Sequence, residues 1–169
     1  MADKAHAHTV QGLTPEDDLG ITLTHEHLFS DGSSFFELDD ADDAEEFANL
    51  PVTPDLIERV ILSSCSNKDN INLDNPEIAI SELEDFVQLG GRTIVDVTPE
   101  GMGRDPHVLQ MISRRSGVPI VMGCGFYCEY SCEPWVLTAT TDELMQRMVK
   151  DLTEGVDGIR SGIIGEIGI

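Results

Sequence analysis

The feature that most constrains this chain is an alternation of apolar, glycine-bounded strand segments with capped amphipathic helices. "DDLGITLTHEH" (17–27) offers a first strand, "RTIVDVT" (92–98) a second, "VPIVMGCGF" (118–126) a third and "SGIIGEIGI" (161–169) a fourth. Between the first two lies "DNPEIAISELEDFVQLGG" (74–91), with Asn75 as cap, Pro76 in the first turn and Gly90-Gly91 as the stop. Asp105 caps "DPHVLQMISRRSG" (105–117), which Gly117 ends, and "TTDELMQRMVKDLTEG" (140–155) is a further capped helix closed by Gly155. Such a chain forms right-handed βαβ units around a parallel sheet. Two architectures compete, an open doubly wound sheet and a (β/α)8 barrel, and both place a site at the C-terminal ends of the strands. His27, Thr98, Tyr127 and Glu166 lie at or near such ends.

The rest of the chain adds bounds. At 169 residues it makes one domain, 1–169, with residues 1–9 read as disordered; His6 and His8 repeat an H-x-H spacing there without an apolar frame. Residues 30–73 are loop-rich: "ELDDADDAEEF" (37–47) reads as a solvated loop or frayed helix, and "TPDLIERVILSS" (53–64) as a helix with Thr53 as cap and Pro54 in its first position. No apolar run reaches membrane-span length and the N-terminus lacks a signal-like apolar core, which makes the cytoplasm the default. The formal net charge of −22 repels nucleic acid and anionic membrane alike. So few lysines (Lys4, Lys68, Lys150) among so many acids suit a salt-adapted protein, although one acidic loop with an incidental excess elsewhere gives the same count. Cys65, Cys124, Cys128 and Cys132 read as free thiols, since C-x3-C-x3-C matches no common zinc or iron–sulfur spacing. With no G-x-G-x-x-G after the first strand, dinucleotide binding is excluded.

His25 and His27 demand a reason. On a strand, residues i and i+2 share a face, so two imidazoles stand side by side near a strand end while Glu26 points away as a structural partner. A core avoids such a pair unless a metal ion or hydrogen bonds offset its desolvation. Asp96, alternating with Val95 and Val97, faces inward as a buried hydrogen-bonding group that supports a site without ligating. Arg104 and Asp105 read as a turn and a helix cap.

Taken together, "LGITLTHEHL", "LGGRTIVDVTPEGMGRD", "IVMGCGFY" and "GIIGEIG" resemble the successive strand ends of the phosphotriesterase family within the amidohydrolase superfamily. The resemblance runs from about Val10 onward, in the family's order. It implies a metal-dependent hydrolase on a (β/α)8 TIM-type barrel, of which this chain holds about the first four strands. His25 and His27 match the first-strand ligands of the more buried metal, and Glu166 matches the catalytic group that bridges two metals at the fourth strand. A plain carboxylate there, where other members carry a carboxylated lysine, is similar to the glutamate-bridged branch. Tyr127 matches an aromatic position lining the leaving-group pocket.

The resemblance implies two divalent ions as cofactor, zinc first, with manganese, cobalt or iron as alternatives. Their bound hydroxide would attack an ester-type bond of a small molecule: a phosphoester, a lactone or a carboxylic ester. Further ligands come in the family from later strands, so the 169-residue chain is expected to be half a barrel, inactive alone and self-associating, with a homodimer as one form. The rival readings are a flavodoxin-like binding domain and a non-catalytic interaction protein of barrel ancestry.

Overall fold

Ile120–Cys124 is inaccessible along its whole length, which a strand achieves only when both of its faces are covered. In the computed structural model, which describes residues 5–168, this strand (β7) lies inside a parallel sheet. Its companions are β3 (Ile21–Glu26), β6 (Gly91–Asp96) and β8 (Ile163–Ile164), in the spatial order β3-β6-β7-β8. Each strand joins beside its predecessor. A doubly wound sheet reverses its order at a switch point, and this one does not. The architecture is therefore an open, unclosed half-barrel of about four strand–helix units.

The three long helices are those expected from their caps. α5 (Pro76–Gln88) starts with the Asn75 side chain accepting from the Glu77 amide, and α6 (Pro106–Ser116) with Asp105 accepting from His107 and Val108. α7 (Thr141–Thr153) opens with a reciprocal capping box between Thr140 and Glu143. Gly117 ends α6 at φ 74°, a left-handed conformation that glycine adopts without cost. α5 and α6 bury Ile80, Leu83, Leu109 and Ile112 against Ile94, Ile120 and Met122. Each such side chain contributes roughly 1.5–3 kcal/mol by leaving water. The opposite face of the sheet holds a smaller cluster of Val95, Val97 and Val121 against Ala7.

Ala7 belongs to a hairpin, and here one expectation fails. Residues 6–9 are not disordered: β1 (His6–Thr9) pairs antiparallel with β2 (Gly12–Pro15), so His6 and His8 are strand residues. The expectation for residues 1–4 lies outside the described residues. The hairpin is fixed because the Val10 amide donates to the Ile120 carbonyl at 2.9 Å and Val10 is buried. A Cβ at Gly162 would sit 2.1 Å from the His8 oxygen, so glycine is required where this hairpin crosses the sheet.

The segment from 30 to 73 is more ordered than its composition suggests. A helical turn, α1 (Glu16–Leu19), precedes β3; α2 (Ala44–Phe47), α3 (Ile57–Leu62) and α4 (Lys68–Ile71) follow it. Ser30–Asp31 (β4) pairs antiparallel with Asn72–Leu73 (β5). The fully buried Asn67 holds this subdomain together, donating to the Phe47 and Leu50 carbonyls and accepting from the Asn70 amide. The acidic run is partly engaged, since Asp39 and Asp43 both hold Arg59, which stacks on the buried Phe47 ring. The helix expected over 53–64 covers only Ile57–Leu62: the Thr53 side chain caps nothing, and its carbonyl closes a turn on the Leu56 amide instead. The fourth strand is likewise short, because the chain turns at Gly165 to bring Glu166 beside β6. No helix among the described residues is long and apolar enough to cross a membrane.

Candidate metal centre

β3 pairs with β6 with one register shift between Ile21↔Gly91 and Thr22↔Thr93, and a second between Leu23↔Ile94 and Glu26↔Asp96. Over the second, β3 spends one more residue than β6, which re-aims the side chains at its end as a bulge does. His25 leaves the strand largely exposed, and His27 follows just beyond it, partly buried. Their rings stand 5.8 Å apart, nearly perpendicular.

Glu166 meets them from the far edge of the sheet. Its amide donates to the Val97 carbonyl at 3.1 Å, while the Gly165 amide donates to Cys124 at 2.8 Å. The carboxylate is 3.2 Å from His25 Nε2 through one oxygen and 3.7 Å from His27 Nε2 through the other. The three ligand atoms lie within 4.8 Å of one another, the one such cluster among the described residues. Tetrahedral coordination with bonds of about 2.1 Å sets donor atoms about 3.4 Å apart. Two imidazoles and a carboxylate at these separations therefore suit one borderline divalent ion.

Behind His27 is a support. Its Nδ1 meets the Thr98 hydroxyl at 2.9 Å; an ion held on Nε2 would leave the proton on Nδ1, to be donated to that oxygen. Asp96, fully buried on the Ile94 side of β6, accepts from the Thr98 amide at 3.0 Å and the Leu28 amide at 2.7 Å. Burial pushes its carboxyl above the usual range, and the hydrogen bonds from Leu28 and Thr98 oppose that rise. Asp96 is thus placed as a buried hydrogen-bonding group between the two strand ends.

Tyr127 lines the same recess, a cavity of about 430 Å³, together with Phe35, Ile71 and Met102. The negative charge of Glu166 raises its phenol above the ordinary value. Phe35 and Met102 went unnoticed in the sequence, because nothing in "DGSSFFEL" or "PEGMGR" marks a wall residue. The one legible hint is Gly103, left-handed at φ 77° and packed against Asp31.

Other expectations change. Asp105 is the helix cap, but Arg104 is more than a turn residue: its side chain is buried, pairs with Asp151 at 2.8 Å and donates to the Gly123 carbonyl at 3.0 Å. Glu26 finds no side-chain partner among the described residues and lines a separate recess with Asp69, Asp74 and Glu82. The four cysteines are free, and the buried Cys124 thiol donates to the Ile163 carbonyl.

The sequence profile of the Phosphotriesterase family matches residues 5–169. A protein from Nematostella vectensis called phosphotriesterase-related protein is 38% identical over 96% of this chain and 48% of its own length. An N-acetyltaurine hydrolase of Dictyostelium discoideum is 34% identical over 95% of this chain and 49% of its own. Among solved structures, a resiniferatoxin-binding protein from Rhodobacter sphaeroides superposes with a TM-score of 0.92 at 37% identity, over 97% of this chain and 46% of that one. The chain thus spans about half the length of the relatives it matches.

Proposed function

Since the chain belongs to the phosphotriesterase family, we propose that it carries the first-metal half of a hydrolytic centre acting on a small-molecule ester or amide. The observation that carries this reading is the convergence of His25, His27 and Glu166 from strands at opposite edges of the sheet. His25 and His27 would hold one ion through Nε2. Glu166, whose two carboxylate oxygens face His25 and His27, would complete its donor set. Zinc is the ion best suited to this mixture of imidazole and carboxylate. When bound, such ions lower the pKa of a coordinated water and polarise the bond to be cleaved.

The chain's own residues perform the remaining work. Thr98 holds His27 in the tautomer that presents Nε2, Asp96 fixes Thr98 through its amide, and Tyr127 forms the wall against which the leaving group lies. Esters are the substrate class that the resemblance to the family implies. Amides enter because a relative at 34% identity is named for hydrolysing N-acetyltaurine.

Only one three-donor cluster lies among the described residues, so the 169-residue chain should bind close to one zinc. It should turn over paraoxon, lactones, aryl esters and N-acyl amides no faster than buffer. Equilibrium dialysis with elemental analysis, followed by those assays, tests both statements. Enzymatic turnover by this chain alone, abolished in His25→Ala/His27→Ala, would overturn the half-centre reading. A double variant that keeps its zinc would overturn the ligand assignment.

A further inference from the structure

Arg104 is buried, charged and without a part in the hydrolytic reading. Its side chain is 3% exposed, and its two terminal nitrogens go to different elements. Nη1 donates to the Gly123 carbonyl of β7 at 3.0 Å, and Nη2 to the Asp151 carboxylate of α7 at 2.8 Å. Asp151 also accepts from Arg147 Nε at 3.3 Å, and Arg147 pairs with Glu100 in the turn after β6. The Nε of Arg104 finds no acceptor among the described residues.

Stability is a poor reason for such a residue. A buried ion pair gains little over well-packed apolar side chains, and a buried donor left unpaired is a cost. An apolar residue of the same length could not hold a backbone carbonyl and a carboxylate in fixed relation. Those two residues also share a partner in the segment that leads into β8. The Ser161 hydroxyl donates to the same Gly123 carbonyl at 3.1 Å, and the Ser161 amide to the Asp151 carbonyl at 2.9 Å.

The path from this clamp to Glu166 is short. Gly123 pairs with Ile163, and the next residue, Cys124, accepts from the Gly165 amide at 2.8 Å. A Cβ at Gly123 would lie 2.1 Å from the Gly165 oxygen, so the turn that carries Glu166 rests directly on this glycine. The Glu166 carboxylate faces His25 and His27 at 3.2 and 3.7 Å and has no other side-chain partner among the described residues. Its aim is therefore set through its backbone, and that backbone is set by β7.

We propose that Arg104 is a positioning residue for the metal centre: by clamping Gly123 to Asp151, it fixes the turn after β8 at the height where Glu166 faces His25 and His27. This rests on the metal-centre reading for what Glu166 binds, but not for what holds Glu166 in place. Two measurements on the 169-residue chain keep those apart. Without metal, amide hydrogen exchange reads the turn alone. Arg104→Met should speed exchange of the Gly165 and Glu166 amides at least about tenfold more than that of the Val10 amide, which bonds to Ile120. With cobalt, titrations followed by the visible spectrum read the centre. Arg104→Met should weaken cobalt binding about tenfold and alter its spectrum, but add no further loss in a chain that already carries Glu166→Ala. Arg104→Lys keeps the charge beside Asp151 without the fork that spans both partners. It guards against a methionine variant that does not fold, and should move the same readouts in the same direction by less.

Equal acceleration of all three amides, in whichever variants fold, overturns the proposal. So does a loss of cobalt affinity that is the same with and without Glu166. An unmodified chain that binds no cobalt defeats the metal centre, and the exchange contrast then still decides whether Arg104 holds the turn.

Discussion

On the helix-packed side of the sheet, Ile94, Leu109, Ile112 and Ile120 are at most 2% exposed, whereas Ile21, Leu23, Ile163 and Ile164 on the outermost strands are 41–64% exposed. The outer strands are no less apolar in sequence. The difference lies in neighbours: β6 and β7 each have a strand on either side and helices above, while β3 and β8 each have one strand partner among the described residues. Coverage, not strand composition, decides which isoleucine is buried. The candidate chemistry sits at the ends of these outer strands, with the His25 side chain 63% exposed and those of His27 and Glu166 27% and 14% exposed. Stability and function are thus divided between two regions of one sheet, and that division makes predictions.

The largest effect is expected in the closed region. Leu109→Ala leaves a cavity among Ile80, Ile112 and Ile120 and should cost about 3 kcal/mol in urea denaturation. A loss below about 1 kcal/mol would mean the helix layer is not the main store of stability. Next, amide hydrogen exchange should separate the strands. Amides bonded within β6 and β7 should open only with global unfolding, while the Gly162 and Gly165 amides, which tie β8 to β7, should exchange faster through local opening. Uniform protection across the sheet would break the comparison.

Thr140→Ala should cost about 1 kcal/mol, because it removes half of the capping box on α7. This penalty should depend on pH with a fixed sign. Hydrogen bonds from the Thr140 amide and hydroxyl hold the Glu143 carboxyl below its ordinary value of 4.5. Its contribution is present above that value and disappears as pH falls through the lowered folded value. The penalty of Thr140→Ala should therefore shrink in acid, as paired denaturation curves would show; a constant penalty would contradict the assigned cap. The smallest effect belongs to the open edge, where Ile164→Ala should change stability by no more than about 0.5 kcal/mol.

Much of this was legible in the sequence, for reasons that differ by region. The helices α5, α6 and α7 were readable because Asn75, Asp105 and Thr140 cap locally, through side chain-to-backbone bonds a few residues away. His25 and His27 stand out because such groups are costly on an apolar strand, whereas Glu166 is singled out by the resemblance of "GIIGEIG" to the family's fourth strand end. The hairpin at residues 6–15 was missed because its order comes from distant contacts, Val10 on Ile120 and Gly162 under His8. Asn67 was missed for the same reason, since a buried asparagine that closes three backbone bonds has no local signature. The i, i+2 argument placed the two histidines on one strand face, while in the structure an irregular register carries them to Glu166 from the strand's end. Phe35 was invisible because its place in the recess depends on where Tyr127 lies in space.

The central claim, that His25, His27 and Glu166 form a metal site separate from the stabilising core, is tested most directly by zinc-dependent unfolding of the 169-residue chain and of His25→Ala/His27→Ala. Without zinc the two proteins should unfold within about 1 kcal/mol of each other, since the substitutions leave the helix-packed core untouched. With free zinc at about one hundred times the dissociation constant, the unmodified chain should gain about 2.7 kcal/mol and the double variant nothing measurable. Equal stabilisation of both proteins by zinc would contradict the account.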